Sequence, residues 1–258
     1  MRKYILAVLA VAFSLTVNAQ MSQTQKIINA TLKGWQLELR AGYNLGGTAP
    51  VPLPEEIRSM DSYSPKIPFT IEADFLRFFG EKKKWGLSWG VKLENKAMDT
   101  KATVKNYGME IFGDEGERVA GRWTGGVRTK VDNSYLTFPI LAVYKVHPRT
   151  NIRAGVYLSY MIDGEFSGYV YDGYLRQEDP TGLKVPYGDG KTASYDFSDE
   201  LRKFQCGAQL GVDWMAFKHL KVFADLTWGL NDIFNNDFKT ITFSMYPIYF
   251  NFGLGYLF

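Results

Sequence analysis

The chain has 258 residues and a formal net charge of +3, with 30 Lys/Arg and 27 Asp/Glu intermixed along it. That excludes the clustered basic face of a nucleic-acid binder, and a single Cys excludes an intramolecular disulfide or a multi-Cys metal site. At 16% aromatic residues and 25 Gly, the composition suits strands and turns better than a helical bundle.

Residues 1–19, MRKYILAVLAVAFSLTVNA, read as an export signal. Arg2 and Lys3 give a basic start, residues 4–17 an apolar stretch, and Val17-Asn18-Ala19 a cleavage site before Gln20. The stretch is shorter than the roughly 20 residues a spanning helix needs. Residues 20–33 are polar and are expected to form a periplasmic lead-in, leaving 34–258 as one domain. No later segment has 18 uninterrupted apolar residues, so a membrane location would require strands.

From Trp35 the hydrophobic period is two. Trp35, Leu37, Leu39, Ala41, Tyr43 and Leu45 share one face; Gln36, Glu38, Arg40, Gly42 and Asn44 share the other. The alternation recurs at 69–75, 85–94, 135–144, 152–163, 203–214, 220–231 and 246–258. Eight strands are predicted, each near the roughly 9–11 residues a tilted membrane strand needs. Alternating pieces at 118–129 and 167–176 either extend hairpins or add one, so ten strands stay open. The connections at 80–84, 147–150 and 217–219 are short. Those at 46–66, 97–130, 164–200 and around 232–239 are long. Short turns belong on the periplasmic side and long loops outside, which puts both termini in the periplasm. The expected fold is all-β, an antiparallel up-and-down transmembrane barrel in the outer membrane.

Period alone does not separate this from a soluble, lipocalin-like barrel with its apolar face inward. Three features favour the membrane version, the first of them the polar face. It carries Glu38, Glu72, Asp74, Glu94, Asp163, Asp213 and Asp225 against Arg40, Lys92, Arg153, Lys203 and Lys221. An eight-stranded lumen is just wide enough for such side chains to fill it as a polar plug. Trp35, Trp85, Tyr144, Trp214 and Tyr256 lie on the apolar face near the short turns, as in an interfacial aromatic girdle. The chain closes on Phe252, Leu254, Tyr256 and Phe258, a terminal aromatic strand that looks like a signal read by barrel assembly machinery.

The segment 135–144, YLTFPILAVY, resembles the tyrosine-leucine-x-x-proline-aliphatic strand of the PorT-like outer-membrane β-barrel family of Bacteroidetes. FQCGAQLGV at 204–212, LTWGLNDI at 226–233 and GLGYLF at 253–258 are similar to further strands of that family. Cys206 and Gln205 depart from its more Asp-rich pattern, and the long loops match thinly. The resemblance implies an outer-membrane location and little about activity; membership does not carry a secretion role with it.

Chemistry is poorly supplied. The two His, His147 and His219, both fall in predicted periplasmic turns, leaving no general base at the outer rim or in the lumen. The expectation is a non-enzymatic protein without cofactor or metal. The acidic stretch with Asp172, Glu178, Asp179, Asp189, Asp196, Asp199 and Glu200 matches no calcium-loop spacing and reads as a solvated loop. The chain is then a structural or interaction barrel, or else a small porin-like channel. Expected partners are outer-membrane lipid and lipopolysaccharide, the assembly machinery and, as a further candidate, another envelope protein.

Overall fold

A computed structural model describes residues 34–112 and 118–258. The export signal and the lead-in at 20–33 lie outside the described residues. Ten strands run in chain order: β1 (Gln36–Pro50), β2 (Ile57–Pro65), β3 (Phe69–Phe79), β4 (Trp85–Phe112), β5 (Arg118–His147), β6 (Thr150–Gln177), β7 (Lys184–Asp196), β8 (Phe204–Met215), β9 (Leu220–Gly229) and β10 (Met245–Leu257). A 3-10 turn, η1 (Ser198–Glu200), precedes β8.

Eight of these strands close into a ring, all pairs antiparallel: β1–β3–β4–β5–β6–β8–β9–β10 and back to β1. They are the eight strands predicted from the alternation. The two remaining strands, β2 on β4 and β7 on β6, were hidden inside segments read as long loops. The pieces at 118–129 and 167–176 extend β5 and β6 rather than adding a membrane hairpin.

Register fixes the shape of the ring. Stepping between paired residues from Leu37 through Phe75, Trp89, Ile140, Val156, Ala208, Trp228 and Ile248 returns to β1 at Gly47, ten residues further on. With the usual rise and strand spacing, that stagger over eight strands tilts them by about 40°. The bore left inside is just wide enough for side chains.

The faces are inside out relative to a soluble protein. Leu39, Trp89, Leu93, Ile140, Leu158, Leu210, Leu226 and Leu254 are exposed, while Glu38, Arg40, Asp74, Arg153 and Asp225 are buried. A lipocalin-like arrangement would reverse both sets. The five aromatic residues expected in a girdle all sit at the short-turn rim, where Trp85 and Tyr144 pack at 4.6 Å. A second outward aromatic band, not anticipated from the sequence, lies toward the other rim. It includes the Tyr43–Phe69 and Tyr160–Phe204 pairs, 5.6 and 5.1 Å apart.

Three strands run far beyond the ring. β4, β5 and β6 have 28, 30 and 28 residues, against 10 in β9. Their outer halves, flanked by β2 and β7, make a five-stranded sheet projecting past the long-loop rim. The inward face of β5 carries Val131 and Val127 above Tyr135 and Thr137, so the lumen continues upward as an apolar chamber. Met98, Met109, Trp123, Phe166, Val170 and Tyr195 belong to this core.

Candidate functional site: a plugged and capped lumen

Alternation turns every second side chain of a strand into the bore, the charged ones among glycines and neutral polar residues, and the tilt brings different strands to a common height. Arg153 on β6 is the hub. Its Nε donates to Asp213 at 2.7 Å, one Nη to Asp74 at 2.7 Å and the other to Glu38 at 2.6 Å. Arg40 on β1 donates to Glu72 and Asp225, both at 2.8 Å, and its guanidinium lies 3.8 Å over the Phe223 ring. Lys221 reaches Glu38 at 2.6 Å. Higher up, Lys92 meets Glu94 at 2.9 Å, and Thr137 donates to Glu94 at 2.8 Å. These charges are all buried, so the low-dielectric interior makes each pair depend on its partners.

Two glycines make the arrangement fit. Gly90 is the register partner of Asp74 and Gly211 that of Asp225. A Cβ on either would overlap the facing carboxylate oxygen. The small residues on the polar face thus hold open the volume that the aspartates fill.

Lys96 marks the upper boundary of the plug. Its Nζ is 3.2 Å from Glu94 and lies 4.9 Å from the Tyr157 ring centroid and 5.3 Å from that of Tyr135. Above it the apolar chamber is closed by the connection between β9 and β10. Ile233, Phe234 and Ile241 of that connection are buried in the upper core. It is stitched to the η1 region: Arg202 N donates to Ile233 O at 2.7 Å, and Asn235 N donates to Glu200 O at 2.9 Å. The Asp232 carboxylate accepts from Phe234 N and Met245 N, pinning the turn. The bore is therefore filled twice, by charge inside the ring and by apolar side chains above it.

An inside-out ring of eight tilted strands is matched at the level of sequence as well: the family model of the outer membrane protein beta-barrel domain covers residues 18–235. The chain belongs to this outer-membrane β-barrel family. Among solved structures it is similar to Ail, the attachment invasion locus protein of Yersinia pestis, at 10% identity. That match covers 87% of this chain and 99% of Ail, with a TM-score of 0.39. Neisserial surface protein A gives 10% identity, 87% and 97% coverage and a TM-score of 0.33. OprG from Pseudomonas aeruginosa gives 11%, 87% and 96%, and 0.32. No curated protein matches the sequence.

Ten of the twelve lumen residues named from the sequence of this outer-membrane barrel are buried together: Glu38, Arg40, Glu72, Asp74, Lys92, Glu94, Arg153, Asp213, Lys221 and Asp225. Asp163 and Lys203 are not, and both are corrections. At Asp163 the ladder shifts, with Tyr135 pairing Met161 and Ser134 pairing Asp163. The extra residue on β6 is a bulge that turns both Ile162 and Asp163 outward, where they are exposed. Lys203 precedes the first residue of β8, in a bend that leads from the cap. Its carbonyl accepts from Met161 N, its side chain is exposed, and Gln205 takes the inward place.

Lys96 lies outside the predicted strand, which ends at Glu94. Continuing the Lys92–Glu94 alternation by one step would have found it. Asn44, Thr70 and Asn251 form a neutral polar layer, with Asn251 donating to Asn44 at 2.7 Å and to Thr70 at 2.9 Å. Phe252 and Leu254, two of the residues read as an assembly signal, are on the outward face of β10; Tyr256 and Phe258 lie at its end. Exposed Cys206 is on the outward face of β8, across from Leu158. Of the two His, His147 is the exposed last residue of β5, and His219 shares a 2.8 Å hydrogen bond with Leu257 O.

Proposed function

We propose that this outer-membrane barrel is a sealed, non-enzymatic structural or interaction protein that works through its projecting sheet. The observation that carries this is the Arg153–Glu38 contact, which crosses the bore inside a plug of buried charges, each beside an opposite charge, beneath an apolar cap. A channel needs a continuous wet path, and both layers obstruct one. Material invested in β2, β7 and the outer halves of β4–β6 lies outside the membrane band, where a partner is accessible. With an even number of ring strands, both termini share the short-turn side, and we assign that side to the periplasm. The strand motifs at 135–144 and 253–258 further suggest the PorT-like branch of the family. Lipopolysaccharide, the barrel assembly machinery reading the β10 residues and a further envelope protein are the proposed partners. Planar-bilayer recording on the full chain tests the sealing: a steady baseline is expected, and reproducible conductance steps would replace this reading with the porin-like one. Photo-crosslinking from Met60 and Tyr63 on exposed β2 in native outer membranes would identify the partner.

A further inference from the structure

We propose that the short-turn mouth of the barrel is a binding site for a phosphate-type oxyanion, gripped by Lys83, Lys145 and Arg149.

The folded chain separates its charges by end. The strand ends and turns on the short side carry Arg77, Lys82, Lys83, Lys84, Lys145, Arg149 and Lys218 against one acid, Glu81. By sequence, the long connecting segments at 46–66, 97–130, 164–200 and 232–239 carry eighteen Asp/Glu against twelve Lys/Arg. The intermixing seen along the sequence is thus a consequence of the chain passing repeatedly from one end to the other.

Within the basic end, a cavity of about 250 Å³ opens at the mouth of the bore. Lys83, Lys145, Arg149 and Lys221 line it, and among the described residues no acidic one does. Lys221 is already engaged by Glu38. The other three have no carboxylate partner among the described residues: Lys145 lies 4.3 Å over the Phe78 ring, and neither Lys83 nor Arg149 makes a salt bridge. Along the bore itself, by contrast, Arg40, Lys92, Lys96, Arg153 and Lys221 all have carboxylate partners. Three unmatched cations converging on one cavity raise the local potential and favour a multivalent anion over a monovalent one. An Arg fork with two Lys suits the oxygens of phosphate. The turns hold these cations in place: Lys83 N donates to Gly80 O at 3.2 Å, and Lys145 N donates to Lys84 O at 2.8 Å. Residues 1–33 contain no Asp or Glu that would neutralise the site.

The phosphate could be a phospholipid headgroup or a soluble ion, and one experiment has an arm for each. The full chain, refolded in neutral detergent, is titrated calorimetrically with inorganic phosphate against chloride at equal ionic strength. In parallel it is reconstituted with phosphatidylglycerol or phosphatidylcholine, and retained lipid is counted by native mass spectrometry. Saturable phosphate binding is expected, weakened about tenfold or more in Lys145→Ala/Arg149→Ala, as loss of charged hydrogen bonds implies. Lys101→Ala/Lys105→Ala, at the opposite end, should leave it unchanged. Selective retention of phosphatidylglycerol would make the source a headgroup; phosphate binding without it would make the source soluble. Binding of neither probe, or equal binding by both double variants, overturns the proposal. Heat-modifiable gel migration verifies folding, and Lys83→Ala serves should the double variant fail to fold.

Discussion

Arg153 on β6 and Glu38 on β1 meet at 2.6 Å across the full width of the barrel, joining strands that stand opposite each other in the eight-strand ring. They are 115 residues apart in sequence. The same guanidinium holds Asp74 and Asp213, so one side chain ties four strands together.

Removing that hub leaves three buried carboxylates short of a partner. Arg153→Ala is expected to destabilise the barrel by about 3–5 kcal/mol in urea unfolding from detergent or lipid. Its bilayer current should nevertheless stay at baseline, because the apolar cap lies above the plug. An unchanged unfolding midpoint would show that the network adds no stability.

Gly211 leaves room for Asp225. Gly211→Val should force the carboxylate away from Arg40 and cost about 1–3 kcal/mol, the usual penalty for overfilling a packed interior. Ala208→Val, at a lipid-facing position of the same strand, should be close to neutral. Equal effects from both would remove the steric account.

Five of the six Trp divide sharply by environment. Trp85, Trp89, Trp214 and Trp228 are exposed on the outward face, whereas Trp123 is 0% exposed in the upper core. In single-Trp variants, brominated lipid should quench those four. Trp123 should resist both brominated lipid and aqueous acrylamide. Quenching of Trp123 by acrylamide at neutral pH would mean that the chamber is open to water.

The projecting sheet should loosen in acid. Hydrogen bonds from Arg128, at 2.9 and 2.6 Å, hold the Asp99 carboxyl below its ordinary value. Hydrogen bonds from Ser167 and Lys130 do the same for Glu165. A carboxyl with a depressed folded pKa contributes stability above its unfolded value, about 3.9 for Asp and 4.3 for Glu. That contribution is lost as pH falls through the folded value. Hydrogen exchange in β4–β6 beyond the ring should therefore rise below about pH 4, and Asp99→Asn should flatten the dependence. The same acid response in Asp99→Asn and wild type would assign it elsewhere.

Alternation with period two fixed much in advance. Because successive side chains on a strand point to opposite faces, the sequence by itself determined the eight ring strands, which residues share a face, and hence ten of the buried lumen charges. That same property is blind to anything that interrupts the period. The bulge on β6 turned Asp163 outward, and the bend before β8 took Lys203 out of the bore. Strands β2 and β7, whose side chains are mostly exposed, carry too little apolar contrast to be seen as strands. Tertiary structure alone decided which charges become partners, since the ten-residue stagger brings β1 and β6 to one height across the bore. It alone folded the β9–β10 connection inward as a cap and gathered the turn cations at one mouth. Local sequence encodes the direction of each side chain. Closure of the ring, a relation among all eight strands, sets what that side chain meets.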